Sequence, residues 1–356
     1  MLFRSSIFGL ELVQDRIYMT PDDFRDRFQK SLRLRQEDPA MSSSDAYRIF
    51  NGFYEGLPGL VVDRYADTIL ISNHNRQPES FNSQIQQISQ FSSAEIPGID
   101  SVLLKTRHST DPEERKGRLL HGQALPQEIS EYGVRYAIDL RLNQDDSFYP
   151  DTRNLRHWLL QNSAQKSVMN CFAYTGSLGI AALAGAASAV IQTDINGEAL
   201  SLAEKSYQLN NFTQVMTILK RDFFSAVNAL KKSEKLFDLV ILDSPFFSST
   251  RYGKVDLQKE SLQLINKVRP LVAHEGRLIA INNALYVTGK QFIDEINDLC
   301  KTGYVAMESI ITIPSDITGY PETITAKPPV DPAPFNHPTK ICVLKMIRKD
   351  QKLANF

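Results

Sequence analysis

Residues 167–187, SVMNCFAYTGSLGIAALAGAA, join an apolar run of strand length to a glycine-bearing turn and then to a helix-length apolar stretch. Gly176 and Gly179 are typical of a turn that lets the backbone reverse tightly and lets a ligand approach the start of the next helix. The same order of strand and helix then recurs, with strands in SAVIQTD, VMTILKR, LFDLVILD and GRLIAIN. We expect the helices that follow to begin at Asn196, Asp222, about Val255 and Thr288. Repeated units of this kind predict an α/β fold, a mostly parallel sheet with helices on both faces.

The segments on either side of this repeating region predict its limits. VAMESIITIP (305–314) and TKICVLKMI (339–347) have no crossover helix between them, which indicates an antiparallel end to the sheet. Ahead of the repeating region, the strand-like pieces include a hairpin that turns at Tyr132–Gly133, which predicts a smaller α+β domain. We therefore predict a helical extension over residues 1–45, a small α+β domain over 46–145 and the α/β domain over 146–356.

Composition and charge argue against several classes of protein. The chain has 40 Lys and Arg against 41 Asp and Glu, and its net charge of −1 is wrong for a general polyanion binder, which must neutralise many phosphates. Any nucleic-acid contact should then be local, as in the basic clusters at 24–36 and 105–118. Cys171, Cys300 and Cys342 lie far apart, which argues against a zinc site and against a disulfide framework.

The hydropathy pattern gives no sign of a membrane protein. No apolar run approaches the roughly 18 residues of a membrane helix, and the start, MLFRSSIFGLELVQD, lacks the pattern of a secretion signal. We therefore expect a cytoplasmic protein with no membrane contact and no metal. The oligomeric state stays open between monomer and homodimer.

The groups at the carboxyl ends of the predicted strands suit a nucleoside-bearing cofactor. Asp194 lies 18 positions beyond Gly176, a spacing that suits an acceptor for the two hydroxyls of a ribose. Asp222 and Phe223 offer an acceptor for an adenine amine and a flat wall for its ring. The fourth and fifth strands end in further polar and aromatic groups: Asp243, Ser244, Pro245, Phe246 and Phe247, then Asn282 and Asn283.

Each of these groups also has an ordinary structural explanation, since a glycine can simply turn the chain and an aspartate can cap a helix. Four successive strand ends with cofactor-binding groups nevertheless favour a functional interpretation. A nicotinamide cofactor would need G-x-G-x-x-G, and YTGSLG has only the last two glycines. S-adenosylmethionine has no phosphate to hold, so we predict S-adenosylmethionine as the cofactor.

Four segments match one known family in combination. RIFNGFYEGLPGLVVDRYADTILI (48–71) is similar to its middle-domain signature, and DDSFYPDTRNLR (145–156) to the segment before its Rossmann-like core. VMNCFAYTGSLGIAALAGA is similar to its first cofactor motif, and ILDSPFFS (241–248) to its D-P-P-x-F motif. From about residue 45 to about residue 348 the chain thus resembles the class I, S-adenosylmethionine-dependent 23S ribosomal RNA large-subunit methyltransferases. The resemblance implies a seven-stranded, Rossmann-like methyltransferase sheet.

The resemblance also implies roles for individual residues. Arg153 would hold the carboxylate of the cofactor as a planar fork, with Phe148 and Asp151 beside it. Asp151 and Arg153 could instead form a plain surface ion pair that opens a helix. The other residues implied to bind the cofactor follow the strands: Tyr174, Thr175 and Gly176 at its methionine part, then Asp194, Ile195, Asp222, Phe223 and Asp243.

Departures from the family's cytosine-C5 branch point to a different target atom. That branch has a catalytic cysteine in an S-C-S-G stretch after the fifth strand, because C5 reacts only after a thiolate adds at C6. The corresponding stretch here is AINNALY (280–286), which is closer to the S-N-N of the family's guanine-N7 branch. N7 attacks a sulfonium methyl without a general base. The predicted catalytic residues are therefore Asp243 and Pro245, which fix the base, and Phe246, which with Phe247 as alternative stacks on it.

We therefore predict an S-adenosylmethionine-dependent methyltransferase acting on a purine base of ribosomal RNA, a guanine nitrogen. The cytosine-C5 members begin with a small RNA-binding barrel, and we expect none here because about 45 residues precede the middle domain. An exocyclic amine of guanine or adenine is also open as the target. Two other functions stay open: methylation of a protein or small molecule, and assistance to RNA assembly by a cofactor-binding protein that transfers nothing.

Overall fold

A computed structural model describes residues 21–349, and these divide into two compact units. The N-terminal unit contains residues 21–151 together with 314–327, and the C-terminal unit contains 152–313 together with 328–349. The sequence prediction placed the division between residues 145 and 146 and assigned 314–327 to the second domain. The structure assigns that short segment to the N-terminal unit instead, because its hydrogen bonds are made there.

The N-terminal unit is built on a five-stranded mixed sheet. Its strands stand in chain order: β1 (Ala46–Asn51), β2 (Leu60–Tyr65), β3 (Thr68–Asn73), β4 (Ser101–Thr106) and β5 (Arg118–His121). Only β3 and β4 pair in parallel, and a crossover helix joins them. The helices are α1 (Pro21–Glu37), α2 (Gly52–Glu55), α3 (Asn82–Glu95) and α4 (Pro112–Lys116), and a separate hairpin contains β6 (Glu128–Glu131) and β7 (Val134–Ala137).

Local features of this unit follow the sequence pattern. Phe24, Phe28 and Leu32, four residues apart on α1, are all buried in one cluster with the sheet. Tyr132 and Gly133 have φ values of 50° and 76°, which are the positive values that a two-residue hairpin turn requires. The predicted helix and hairpin are therefore confirmed, while residues 1–20 of the predicted helical extension lie outside the described residues.

A buried ion pair ties the parts of the N-terminal unit together. The Arg35 guanidinium donates to both carboxylate oxygens of Glu55, at 2.9 and 3.0 Å, and both side chains are fully buried. Glu55 also accepts from the Thr323 hydroxyl at 2.5 Å, and Arg35 donates to the Asp316 carbonyl at 2.8 Å. The pair is thus completed by the segment 314–327, which includes α11 (Ser315–Thr318).

The C-terminal unit is a seven-stranded sheet between helices. In chain order its elements are α5 (Arg153–Asn162), β8 (Ser167–Cys171), α6 (Ser177–Ala184), β9 (Ala189–Asp194), α7 (Gly197–Leu209), β10 (Val215–Lys220), α8 (Phe223–Lys232), β11 (Phe237–Leu242), β12 (Phe247–Thr250), β13 (Gly253–Asp256), α9 (Leu257–Val268), β14 (Val272–Asn282), α10 (Gly289–Cys300), β15 (Val305–Ile311) and β16 (Lys340–Met346). The strand order is β10-β9-β8-β11-β14-β16-β15. All strands run in one direction except β16, which is antiparallel to both β14 and β15.

This arrangement confirms the predicted seven-stranded α/β sheet and its antiparallel end. Strand order reverses between β8 and β11, which is where open α/β sheets bind ligands beyond the carboxyl ends of their strands. The short hairpin of β12 and β13 was not predicted, because its sequence lacks an apolar alternation. Within residues 21–349, no helix is both long enough and apolar enough to span a membrane.

Candidate active site

Four strand ends meet at one edge of the C-terminal sheet. Leu242 of β11 stands beside Cys171 of β8 on one side and beside Ala280 of β14 on the other. Cys171 in turn stands beside Thr193 of β9. The residues that follow these positions therefore lie along one edge, as the sequence predicted from parallel strands, with the end of β8 between Asp194 and Asp243.

The loop between β8 and α6 has an unusual backbone. Phe172, Tyr174 and Gly176 have φ values of 55°, 52° and 77°. A non-glycine residue in this region costs roughly 1–2 kcal/mol. Two hydrogen bonds hold the loop against β9: the Ala173 amide donates to the Thr193 carbonyl at 2.9 Å, and the Tyr174 amide donates to an Asp194 carboxylate oxygen at 2.9 Å. Strain of this kind at a strand end is typical of a ligand site.

The structure gives a physical reason for glycine at positions 176 and 179 that the sequence did not show. A Cβ on Gly176 would lie 2.7 Å from Gln192 Nε2, and a Cβ on Gly179 would lie 2.5 Å from the same atom. Gln192 accepts from Asn170 at 2.8 Å and donates to the Gly176 carbonyl at 3.0 Å. The glycines therefore make room for a buried amide that fixes the loop, and the expected close ligand approach stays a prediction.

Asp194 is the central acid of the edge. It is 3% exposed, and its two carboxylate oxygens accept from the backbone amides of Tyr174 and Asn196, at 2.9 and 2.8 Å. Burial raises the pKa of its carboxyl, and the backbone hydrogen bonds partly offset that rise. Each oxygen keeps a further lone pair, so the side chain can still accept from a pair of hydroxyls. Ile195 is 49% exposed beside it and offers an apolar surface to a flat ring.

Asp222 and Phe223 have clear structural roles in addition to their predicted ones. Asp222 caps α8 by accepting from the Phe224 and Ser225 amides, and its other oxygen accepts from the Thr250 hydroxyl at 2.7 Å. Phe223 is 4% exposed, and its ring stacks on Phe172 with centroids 4.6 Å apart. Phe172, which the sequence analysis missed, is the less buried ring of this pair. A cofactor role for Asp222 and Phe223 stays a prediction.

The remaining predicted cofactor residues fall in both units. In the C-terminal unit, Thr175 is 5% exposed, and Arg153, the first residue of α5, is 1% exposed. In the N-terminal unit, the Phe148 ring packs against Tyr136 with centroids 5.1 Å apart. Asp151 is half-buried at the end of the same unit. A shared site for these residues stays a prediction.

The residues after β11 divide into a buried and an exposed part. Asp243 is half-buried, while Ser244 and Pro245 are buried. Phe246 packs partly against the main core cluster of the unit, whereas Phe247, the first residue of β12, is 47% exposed. Phe247 is thus the more exposed ring, and the predicted stacking of Phe246 or Phe247 on the target base stays a prediction.

The two asparagines after β14 have opposite environments. Asn282 is fully engaged: its amide donates to the Ser261 hydroxyl at 2.7 Å, and its oxygen accepts from the Ala284 amide at 2.9 Å. Asn283 is 2% exposed, yet neither polar atom of its side chain has a hydrogen-bond partner in the described part of the chain. A buried unpaired amide costs about 1–3 kcal/mol per group, so this one calls for a ligand.

Strand alternation puts Asn283 on the same face of the sheet as Asp243. Leu242 of β11 and Ala280 of β14 belong to the core cluster that includes α8, α9 and α10, and Asn282 bonds to α9. The next residues, Asp243 and Asn283, therefore face the other way. Leu242 pairs with Ala280, so Asp243 and Asn283, the first residues after β11 and β14, lie at the ends of two neighbouring strands.

None of the three cysteines is placed as a nucleophile. Cys171 ends β8, but its side chain is fully buried in the core cluster, and burial raises the pKa of its thiol. Cys342 lies inside β16, and burial raises the pKa of its thiol to about 12. Cys300 lies at the end of α10. The described residues also contain no group of three or more His, Cys, Asp or Glu side chains that could hold a metal ion.

Comparison with known proteins identifies the family. The model of the S-adenosylmethionine-dependent methyltransferases matches residues 48–305, which is most of the chain. The chain belongs to this family. The match confirms the predicted cofactor class, and the Asp194 carboxylate with the exposed Ile195 beside it fits the ribose and the adenine ring of such a cofactor.

Individual relatives are similar over part of their length. The ribosomal RNA large subunit methyltransferase I of Aeromonas salmonicida is 30% identical over 233 residues, covering 64% of this chain and 59% of that protein. A ribosomal RNA large subunit methyltransferase of Deinococcus radiodurans is 26% identical over 264 residues, covering 72% and 64%. The chain thus spans less than two thirds of the length of these relatives.

Among solved structures, SMU.776, described as a methyltransferase complexed with SAH, superposes with a TM-score of 0.78 at 23% identity. The superposition covers 93% of this chain and 83% of that one. It supports the fold.

Proposed function

We propose that this protein transfers the methyl group of S-adenosylmethionine to a ring nitrogen of a guanine in ribosomal RNA. The observation that carries the proposal is the buried side-chain amide of Asn283, which has no partner in the described residues and lies at the same sheet edge as Asp243. A carboxylate and a carboxamide on one face supply acceptors and a donor in a small area. The ribosomal RNA methyltransferases among its relatives support RNA as the carrier of that base.

These two side chains complement the Watson–Crick edge of guanine, which does not include N7. A carboxylate at Asp243 accepts from the ring N1–H and from the exocyclic N2 amino group of the base, while the Asn283 amide donates to O6. This binding leaves N7, with its in-plane lone pair, directed away from the protein groups and towards the methyl donor. Adenine lacks the N1 proton and has an amine in place of O6, so both contacts would reject it.

The proposed reaction needs placement more than it needs acid or base chemistry. S-adenosylmethionine would supply a methyl group on a sulfonium, and attack of the ring-nitrogen lone pair on the methyl carbon would break the C–S bond in line and release S-adenosylhomocysteine. Holding the two reactants together can supply roughly 7–11 kcal/mol of the barrier. The chain contributes Asp194 and Ile195 on the cofactor side, and Asp243, Asn283 and the rigid Pro245 turn on the base side.

The fate of the cysteines supports a reaction without a covalent enzyme intermediate. A cytosine-C5 transfer requires a thiolate near the base, and burial disfavours that charged form for both Cys171 and Cys342. Cys300 lies at the end of α10, away from the carboxyl ends of the parallel strands. The chain has no further cysteine.

Mass spectrometry of ribosomal nucleosides tests the proposal directly. A strain without this protein should lose one N7-methylguanosine of the large-subunit RNA, and the purified protein should restore it. Asp243→Ala should keep its affinity for S-adenosylhomocysteine and lose transfer, because the substitution removes a base contact. Unchanged methylguanosine, or full transfer by this variant, would contradict the proposal, and loss of a methylated adenine instead would move the target to another purine.

A further inference from the structure

The hairpin of β12 and β13 begins four residues after Asp243 and displays one face to solvent. Its register pairs Ser248 with Val255, and Val255 is 1% exposed within the core. Because cross-strand partners share a face, the other face of the hairpin must point outwards. That outer face contains Phe247, which is 47% exposed, and Lys254.

The inner face of the hairpin is fixed to the start of α8. The Thr250 hydroxyl donates at 2.7 Å to the carboxylate of Asp222, which caps that helix. Gly253 lies so close to the Phe224 ring that a Cβ there would be 2.5 Å from it. These contacts fix the backbone that carries the outer side chains. A ligand that binds them therefore loses little free energy in ordering the hairpin.

Cations lie against the exposed rings. The Lys254 ammonium is 5.2 Å from the centre of the Phe247 ring, and the Arg251 guanidinium carbon is 4.7 Å from the centre of the Tyr252 ring. Tyr252 is 50% exposed, at the tip of the hairpin. Lys254 also forms an ion pair with Asp256 at 3.2 Å, which contributes little at an exposed position.

We propose that the outer face of this hairpin binds single-stranded nucleotides that flank the target base, a proposal that rests on the RNA substrate proposed above. Phe247 and Tyr252 each offer a face on which a base can stack, and Arg251 and Lys254 neutralise the phosphates between them. Alternating rings and cations are the groups that single-stranded nucleic acid requires. A net charge of −1 is compatible with such binding because the contact is local.

Binding of a labelled, mixed-sequence single-stranded RNA of about 12 nucleotides tests the stacking. Fluorescence anisotropy should show an affinity about 5- to 100-fold lower for Phe247→Ala and for Tyr252→Ala, with an unchanged salt dependence. Arg251→Gln and Lys254→Gln should each lower the slope of log K against log salt by about 0.7. All four variants should keep the wild-type affinity for S-adenosylhomocysteine, which shows that the C-terminal unit is folded.

The chain offers matched controls at the opposite ends of the strands. Lys235 lies 5.6 Å from the Phe237 ring at the start of β11, and Lys349 lies 5.3 Å from the Tyr304 ring just before β15. Lys235→Gln and Lys349→Gln remove the same charge and should leave both the affinity and the salt slope unchanged.

The outcomes separate this proposal from the proposed function. If the hairpin variants bind the RNA as tightly as wild type, or if the two control variants weaken it equally, the hairpin proposal is wrong while methyl transfer to ribosomal RNA can stand. If the hairpin variants alone lose RNA but the wild-type protein transfers no methyl group to ribosomal RNA, the hairpin proposal is supported and the proposed function is wrong. A wild-type protein that binds no RNA would refute the hairpin proposal.

Discussion

The proposed role of Asp194 in binding the cofactor predicts an affinity that depends on pH. Its carboxylate accepts from two backbone amides already and has lone pairs left for the ribose hydroxyls, which a protonated carboxyl would bind less well. Burial raises its pKa, so the protonated form persists to a higher pH than the ordinary value of 3.8 would allow. Affinity for S-adenosylhomocysteine should therefore rise with pH through this raised value and then level off.

Calorimetric titration across the mildly acidic range measures this effect. Asp194→Asn should weaken binding by about 1.5–3 kcal/mol for each charged hydrogen bond it loses, and its affinity should no longer vary with pH in this range. Asp238 is a suitable control, because its carboxylate bonds to Ser167 at the opposite end of the sheet. An Asp194→Asn variant with wild-type affinity would remove Asp194 from the cofactor site.

The neighbouring asparagines after β14 should respond in opposite directions to the same substitution. Asn283→Leu replaces a buried amide with no partner in the described chain by an apolar group of similar size, which should leave the unit equally stable or more stable while transfer falls. Asn282→Leu instead removes the acceptor of the buried Ala284 amide and one of the two hydrogen bonds of the Ser261 hydroxyl, which should cost about 1–3 kcal/mol.

Urea unfolding followed by tryptophan fluorescence separates the two variants, because the one tryptophan, Trp158, lies on α5 of the same unit. Loss of stability in Asn283→Leu would show that its amide is structural. The sequence placed both asparagines at this edge of the sheet. It could not predict which one is hydrogen-bonded, because a shift of one residue in register exchanges the faces that they occupy.

Among the helices and strands, the repeating pattern of the C-terminal unit was predictable and the small hairpin was not. Strands buried on both faces read as continuous apolar runs, so β8, β9 and β11 are visible in the sequence. In the hairpin only Val255 is buried. The position of the hairpin depends on its hydrogen bond to Asp222 at the start of α8, which is 28 residues earlier in the sequence. Similarly, the glycines of the β8–α6 loop were visible, but Gln192, which requires them, was not.

The buried ion pair between Arg35 of α1 and Glu55 of α2 provides a test of the stability of the N-terminal unit. Arg35→Met leaves the Glu55 carboxylate buried without its main partner, which should destabilise the unit by about 3–5 kcal/mol. Arg25→Met, on the same helix, removes an exposed pair with Glu95 at 3.8 Å and should cost less than about 1 kcal/mol.

Hydrogen exchange of the amides in β1 to β3 is the appropriate measurement, because Trp158 reports on the other unit. The double variant Arg35→Met, Glu55→Leu should recover part of the loss, since no charge is then left buried. Equal protection in Arg35→Met and Arg25→Met would mean that the buried pair contributes nothing specific.

For the chain as a whole, the sequence predicted a helical extension, a small α+β domain and an α/β domain that begins at residue 146, but it did not predict where residues 314–327 belong. Segments near each other in sequence can be assigned by their pattern of apolar residues. The partners of this segment, such as Glu55 and Arg35, lie more than 260 positions earlier, and no local pattern identifies them. The packing of distant segments is therefore the part of the fold that the sequence left open.

The position of residues 314–327 has a consequence for biosynthesis. Glu55 is translated before Thr323, and 268 codons separate the two residues. At ordinary elongation rates this interval lasts roughly 15–50 s. During that time the nascent N-terminal half lacks the hydroxyl and carbonyl groups that complete its buried ion pair. The sheet of the C-terminal unit is also incomplete during this time, because β16 lies between β14 and β15 and is translated after both. Both units thus reach their native state only after Thr323 and β16 have been translated, so a stop codon after residue 300 would leave neither unit intact.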